Sequence, residues 1–345
     1  MAEIAVLGGG SWGTALAVHA AACRHQVRLL FRDAERAALV REVGVNETYL
    51  PAAPLPLSVQ VTVDAEEALA GADLILVVTP VKGLEQAVEW LRPHTLARVP
   101  VVSCCKGIRT ETLETPMQAL ARLLPEIAPR LSVLSGPTFA VELARGDPTA
   151  AVVAGADPAV IARVQSLLSG GSFRVYTSED PQGVELAGAL KNVMALAAGI
   201  VRGLGYGANT TAALITRGLA EMSRLGVHLG GLPATFAGLA GLGDLVLTCT
   251  STLSRNQNVG VELGKGRALA EILASMQMVA EGVPTTQSAF QLARRECVEM
   301  PLLEQMHRVL FQGRSPRRAL EALLARDLRD EADALHRPDG KRATD

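Results

Sequence analysis

The sequence predicts an α/β domain followed by a mainly helical one, and three observations carry that reading. The chain opens on a short apolar run, a glycine turn and an alanine-rich stretch. Apolar runs then alternate with helix-compatible stretches to about residue 178, the pattern of a largely parallel sheet covered by helices. From Gly183 onward the apolar material lengthens into Ala, Leu and Met-rich stretches separated by glycines at 205–207, 230–231, 241–243 and 282. At roughly 150 residues per domain, 345 residues also give about two domains.

In chain order, Glu3 to Leu7 reads as a buried strand, Ser11 to Cys23 as a helix and Gln26 to Phe31 as a second strand, a βαβ opening. Runs at 73–79, 99–105, 131–135, 150–153 and 173–177 predict further strands, and 84–91 and 117–124 predict helices. Thr79-Pro80 closes one strand, because proline cannot donate to a ladder. A long helix is expected to begin near Gln182. The boundary falls near 180, giving domains over 1–180 and 181–330 and a polar tail over 331–345.

Composition narrows the function classes. The chain is 49% hydrophobic and 20% charged, which supports a sizeable core and argues against disorder. Its 33 basic and 35 acidic residues leave a formal net charge of -2, so no general attraction to nucleic acid or acidic membrane is expected. The opening MAEIAVLGGG lacks a basic n-region and a long apolar h-region, and later apolar stretches are interrupted or glycine-rich. Neither secretion nor membrane insertion is expected. Five cysteines without CxxC spacing read as reduced thiols, consistent with a cytoplasmic location. Adjacent Cys104 and Cys105 would face opposite sides of a strand, the six histidines are dispersed and no HExxH occurs, so no metal is expected.

Gly8-Gly9-Gly10-Ser11-Trp12-Gly13 satisfies GxGxxG directly after a strand and at a helix start. Gly8 serves the tight turn, Gly10 the close approach of backbone to a pyrophosphate, and Gly13 helix–sheet packing, while the helix N-terminus offers free amides. This predicts a Rossmann-type dinucleotide-binding domain. Ser11 and Trp12 are placed to line the cofactor, with apolar packing the plainer role for Trp12. About twenty residues on, Asp33 is spaced for a ribose hydroxyl and Arg32 for a 2′-phosphate, which leaves NAD and NADP both open.

Two lysines interrupt apolar surroundings. Lys106 stands where the 99–105 strand emerges, the end at which open α/β sheets bind ligands. Lys191 breaks the run from Leu186 to Ala198 and is placed to exchange a proton with an alcohol or carbonyl oxygen; a satisfied interfacial lysine is the plainer reading. Neighbouring Asn192 orients polar groups or bonds the helix junction. Gly136-Pro137-Thr138 brings backbone near a ligand and adds a hydroxyl, or is simply a restricted loop. Asp244 either accepts from a substrate or Lys191, or caps a helix. Ser254-Arg255-Asn256 gathers hydroxyl, guanidinium and amide donors suited to a phosphate, and Glu281 before Gly282 accepts from a cofactor hydroxyl or faces solvent. Gly260 to Lys265 lacks the four-residue spacing of a Walker motif.

Together these motifs resemble the bacterial NAD(P)-dependent glycerol-3-phosphate dehydrogenase family. The anchors are GGGSWGTALA from Gly8, CKG around Lys106, SGPTFAVELA from Ser135, GVELAGALKNVMALAAG from Gly183, GANTTAALITRGLAEMSRLG from Gly207, GLAGLGDLVLTCTSTLSRNQ from Gly238 and VAEGV from Val279. They recur in order across most of residues 4–315. The resemblance implies NAD(P) contacts at Ser11, Trp12, Arg32, Lys106, Ala140, Arg255, Val279 and Glu281. It implies glycerol 3-phosphate contacts at Lys106, Gly136, Thr138, Lys191, Asp244, Ser254, Arg255 and Asn256, with Lys191 transferring the proton. It further implies a homodimer that interconverts sn-glycerol 3-phosphate and dihydroxyacetone phosphate for phospholipid synthesis. Gly9 stands where the fingerprint more often carries alanine, and Val141 where relatives often carry lysine. The competing readings are a 3-hydroxyacid dehydrogenase with a helical second domain, which would select a carboxylate, and a noncatalytic NAD(P) sensor.

Overall fold

The structure is a computed structural model and describes residues 1–94, 98–276, 278–328 and 330–331. Of the polar tail expected over 331–345, all but Glu331 lies outside the described residues. The chain divides into two compact units, Met1–Lys106 with Glu114–Pro181, and Gly107–Leu113 with Gln182–Asp345.

The first unit holds strands β1 (Glu3–Leu7), β2 (Gln26–Leu30), β3 (Val45–Asn46), β4 (Leu50–Pro54), β5 (Val59–Thr62), β6 (Leu74–Val77), β7 (Val101–Ser103), β8 (Leu131–Ser135), β9 (Thr149–Gly155) and β10 (Phe173–Ser178). Its helices are α1 (Ser11–Ala22), α2 (Ala34–Val43), α3 (Ala65–Leu69), α4 (Leu84–Leu91), α5 (Pro116–Leu123), α6 (Ala140–Arg145) and α7 (Pro158–Leu168). Eight strands form one sheet in the order β10-β9-β8-β7-β6-β1-β2-β5, parallel throughout except between β8 and β9. This is the Rossmann-type sheet the sequence predicts, with β1 at the point where strand order reverses.

Continuous apolar strands are what burial on both faces requires. Ile4 and Val6 of β1 enter a core with α1, whereas Ala5 and Leu7 enter a second core with Leu84, Val88 and Leu120 on the opposite face. Asp33, Asp64, Thr115 and Asp157 cap α2, α3, α5 and α7 through their side chains. The β3–β4 hairpin and β5 lie in a stretch from which no strand is predicted, since prolines at 51, 54 and 56 interrupt the apolar pattern.

The second unit is helical: α8 (Pro181–Gly203), α9 (Ala208–His228), α10 (Pro233–Ala237), α11 (Asp244–Thr250), α12 (Arg255–Gly264), α13 (Leu269–Ala274), α14 (Gly282–Arg295), α15 (Pro301–Phe311) and α16 (Pro316–Leu324). By length and apolarity α8 could cross a membrane, but every residue from Gly183 to Val201 is buried, and it is the core helix of this unit. Its Gly199 and Gly203 meet Gly260 and Gly264 of α12 so closely that a Cβ on Gly199 would stand 2.0 Å from the Gln257 carbonyl oxygen, and one on Gly260 2.1 Å from that of Leu196. Gly241 to Gly243, read as a separator, instead lie in a π-helical turn over Leu239–Gly243 that runs straight into α11. Such turns occur often at functional sites.

Candidate active site

In the first unit the predicted residues gather at the carboxyl ends of the central strands. β1 delivers Gly8, whose φ of +128° and close approach to Val78 (a Cβ would lie 2.4 Å from its carbonyl oxygen) admit only glycine. Gly13 packs as tightly, with a Cβ position 1.9 Å from the Gly8 oxygen. Gly10 is the opposite case. It is the N-cap of α1, offers no side-chain cap, and a Cβ there would meet nothing within 4 Å. The N-terminus of α1 thus carries no side-chain cap and has open space beside Gly10, which leaves room for a ligand to approach. Trp12 packs against the core, and its buried Nε1 has no partner among the described residues.

Gly9 owes its identity to Phe31, whose ring atom Cε1 would lie 2.3 Å from a Cβ at residue 9. The departure from alanine is thus matched by the aromatic ring at the end of β2. Arg32 is exposed beside it, while the Asp33 carboxylate accepts from the Arg36 amide at 3.1 Å as the cap of α2. At the ends of β7 and β8, Lys106 Nζ donates to the Gly136 carbonyl at 3.3 Å and Thr138 Oγ1 donates to the same oxygen at 3.2 Å. Gly136 has φ +144° and sits against Ala151, and Ala140 begins α6. Lys106, Gly136 and Thr138 are thus brought together.

In the second unit, α8 and α11 bring Lys191 and Asp244 into a buried pair, Nζ to Oδ1 2.6 Å. Thr248 completes it, accepting from Nζ at 2.8 Å while its own hydroxyl donates to the Asp244 backbone carbonyl at 2.6 Å and lies 3.2 Å from Oδ1. Asp244 is fully buried and helical at the start of α11, one residue inside the N-cap Gly243. Buried charges are tolerable when paired and hydrogen-bonded, and all three side chains meet that condition. Thr248 was missed by sequence reasoning, although its spacing of four from Asp244 puts both on one helix face. Cys249, next on α11, is no nucleophile: burial pushes its thiol up to about 12, with Lys191 opposing and Asp244 adding to the shift.

A second cluster forms where α12 begins. Ser254 is its N-cap and accepts from the Gln257 amide at 3.2 Å. Arg255 donates to the Val279 carbonyl at 3.3 Å, uniting two residues expected at the cofactor. Asn256 donates to Asn192 Oδ1 at 3.0 Å and accepts from the Gly282 amide at 2.9 Å, directly after Glu281. Because a backbone amide must donate, Asn256 Oδ1 faces Gly282 and its amide nitrogen keeps one further proton for an external acceptor. Asn192 is thereby part of the cluster. No group of three or more potential metal ligands occurs among the described residues.

Comparisons with known proteins agree across nearly the whole chain. The family model described as NAD-dependent glycerol-3-phosphate dehydrogenase N-terminus matches residues 3–161, and its C-terminal counterpart matches 180–321. A glycerol-3-phosphate dehydrogenase [NAD(P)+] of Geobacter sulfurreducens is 50% identical over 330 residues, 95% of this chain and 98% of the relative. One from Oleidesulfovibrio alaskensis is 49% identical, covering 95% and 100%. The crystal structure of glycerol-3-phosphate dehydrogenase from Coxiella burnetii superposes with a TM-score of 0.90 at 38% identity, covering 94% of this chain and 99% of that one.

Proposed function

The chain belongs to the NAD-dependent glycerol-3-phosphate dehydrogenase family, and on that premise we propose that it interconverts sn-glycerol 3-phosphate and dihydroxyacetone phosphate with Lys191 as the proton-transfer residue. The observation that carries the assignment is the buried Lys191 ammonium held by Asp244 and Thr248. In reduction Lys191 Nζ gives a proton to the C2 carbonyl oxygen, and in oxidation the neutral amine takes the C2 hydroxyl proton. Asp244 and Thr248 hold Nζ in one position, which removes the entropy of a free lysine chain from the step. A fixed ammonium also acts most strongly where negative charge develops on the reacting oxygen.

The substrate phosphate is assigned to Ser254, Arg255 and Asn256 at the N-terminus of α12, where a guanidinium and the positive end of the helix reinforce each other. Lys106, Gly136 and Thr138 are assigned to the same substrate, and Lys106 also to the nucleotide. Gly8, Gly10, Ser11, Trp12, Gly13, Arg32, Ala140, Arg255, Val279 and Glu281 are the residues assigned to NAD or NADP. When bound, its nicotinamide supplies the two-electron acceptor or donor. Arg32, exposed at the end of β2, favours accommodation of a 2′-phosphate as well as a hydroxyl.

The test is the absorbance of reduced nicotinamide on adding dihydroxyacetone phosphate, with NADH and NADPH in parallel and unphosphorylated dihydroxyacetone as control. Oxidation that needs the phosphate is expected. Equal rates with the unphosphorylated ketone, or turnover only with a 3-oxo carboxylate, would contradict the assignment. The same reading has the chain act as a cytoplasmic homodimer supplying glycerol phosphate for phospholipid synthesis, and light scattering of the purified protein checks the dimer.

A further inference from the structure

Asn46, the last residue of β3, is fully buried and donates twice: Nδ2 to the Gly9 carbonyl oxygen at 2.9 Å and to Thr14 Oγ1 at 2.8 Å. These two acceptors flank the segment Gly10-Ser11-Trp12-Gly13. The amide cannot be turned over, because the Gly9 carbonyl only accepts and a flip would set oxygen against oxygen. Both of its protons are therefore committed to the glycine turn. Its own Oδ1 is buried without a hydrogen-bond partner. An unsatisfied buried carbonyl costs free energy that an apolar residue would avoid, so this position is poorly explained by packing alone.

The bond to Gly9 has a directional consequence. The Gly9–Gly10 peptide is trans, so its C=O and N–H point in opposite directions. Pulling the Gly9 oxygen toward Asn46 turns the Gly10 N–H away from the hairpin, and the Phe31 ring against Gly9 restricts the same peptide from another side. The bond to Thr14 ties this peptide to the first turn of α1. We propose that Asn46 is a positioning residue for the dinucleotide, fixing the Gly9–Gly10 peptide so that its N–H faces the pyrophosphate and its carbonyl dipole is kept away from that charge. The proposal rests on the reading of this turn as the nucleotide site.

The test titrates NADH and NADPH against the full-length protein by nicotinamide fluorescence, for wild type, Asn46→Ala, Asn46→Asp and Thr14→Val. Kinetics at saturating nucleotide and thermal unfolding accompany it. Asn46→Ala is expected to weaken nucleotide binding about tenfold, and Asn46→Asp more, since it sets a second acceptor against the Gly9 oxygen. Thr14→Val, which keeps the shape and removes one bond, is expected to weaken it about threefold and carries the test should the Asn46 variants not fold. The KM for dihydroxyacetone phosphate should stay within about twofold, a split that a general loss of structure would not give. Folded variants that bind nucleotide like wild type, or lose kcat and both KM values together with unchanged nucleotide affinity, would overturn the inference. A wild-type protein that binds neither nucleotide would overturn the reading of the turn and this inference with it.

Discussion

A lysine ammonium held 2.6 Å from a fully buried aspartate depends on every remaining hydrogen bond around it. Thr248 accepts from Nζ, and its single proton lies between the Asp244 backbone carbonyl at 2.6 Å and Oδ1 at 3.2 Å. Thr248→Val keeps the shape and removes the hydroxyl, so Lys191 Nζ loses an acceptor and its position. Turnover is expected to fall about tenfold, the order of a hydrogen bond to a charged group, with nucleotide affinity unchanged; initial rates at saturating substrate check this. Lys191 was legible in the sequence because a cation breaks an apolar helix, and the glycines at 8, 10 and 13 because their spacing follows a strand. Thr248 was not, since a threonine among apolar helix residues looks like any other. Asp244 stayed ambiguous for a different reason: distinguishing a cap from a buried ligand needs the π-helical turn that carries it into α11. Asn46 had no local signal, because its acceptors lie 32 and 37 residues away.

At the scale of elements, α8 and α12 approach so closely that their glycines are contact surfaces. Gly260→Ala places a methyl group 2.1 Å from the Leu196 carbonyl oxygen, which neither backbone can yield without the helices moving apart. Overpacking of this kind costs about 1–3 kcal/mol, and activity should fall with it because the two helices carry Lys191 and Ser254–Asn256; urea denaturation beside a rate assay measures both. Glu221 on α9 supplies a second element-level device. Its carboxylate accepts from the Leu302 and Leu303 amides at 2.7 and 3.2 Å, satisfying the N-terminus of α15. Burial pushes this carboxyl from 4.5 up to about 7, against the pull of those amides and of Arg224 and Arg326. The folded state then binds the extra proton between pH 4.5 and 7, so this group's contribution to stability falls as pH rises through that window, by up to about 3 kcal/mol. Glu221→Gln cannot ionise. Its stability relative to wild type should therefore improve from pH 5 to pH 8, whereas a constant gap in urea midpoints would show that the residue does not titrate there. Strand and helix positions around β1, α1, β6 and β8 followed from apolar period and turn residues; the β3–β4 hairpin did not, because prolines obscure its alternation.

Across the whole molecule, the alternating first half and the helical second half were legible because the two architectures bury apolar residues with different periods. The inclusion of Gly107–Leu113 in the helical unit was not: Ile108 joins that core and Leu113 packs against it, two apolar residues too few to show a period, and Thr110 Oγ1 lies 3.3 Å from Ser288 Oγ. The glycine turn lies in the first unit and Lys191 in the second. Binding of nucleotide and turnover should therefore be separable by one substitution. The direct measurement is Lys191→Met, titrated with NADH and NADPH by fluorescence and assayed with dihydroxyacetone phosphate on the same preparation. Nucleotide dissociation constants within about threefold of wild type and a kcat lower by about 10²–10⁴ are expected. A variant that folds, binds nucleotide and turns over at close to the wild-type rate would contradict the role of Lys191 in proton transfer.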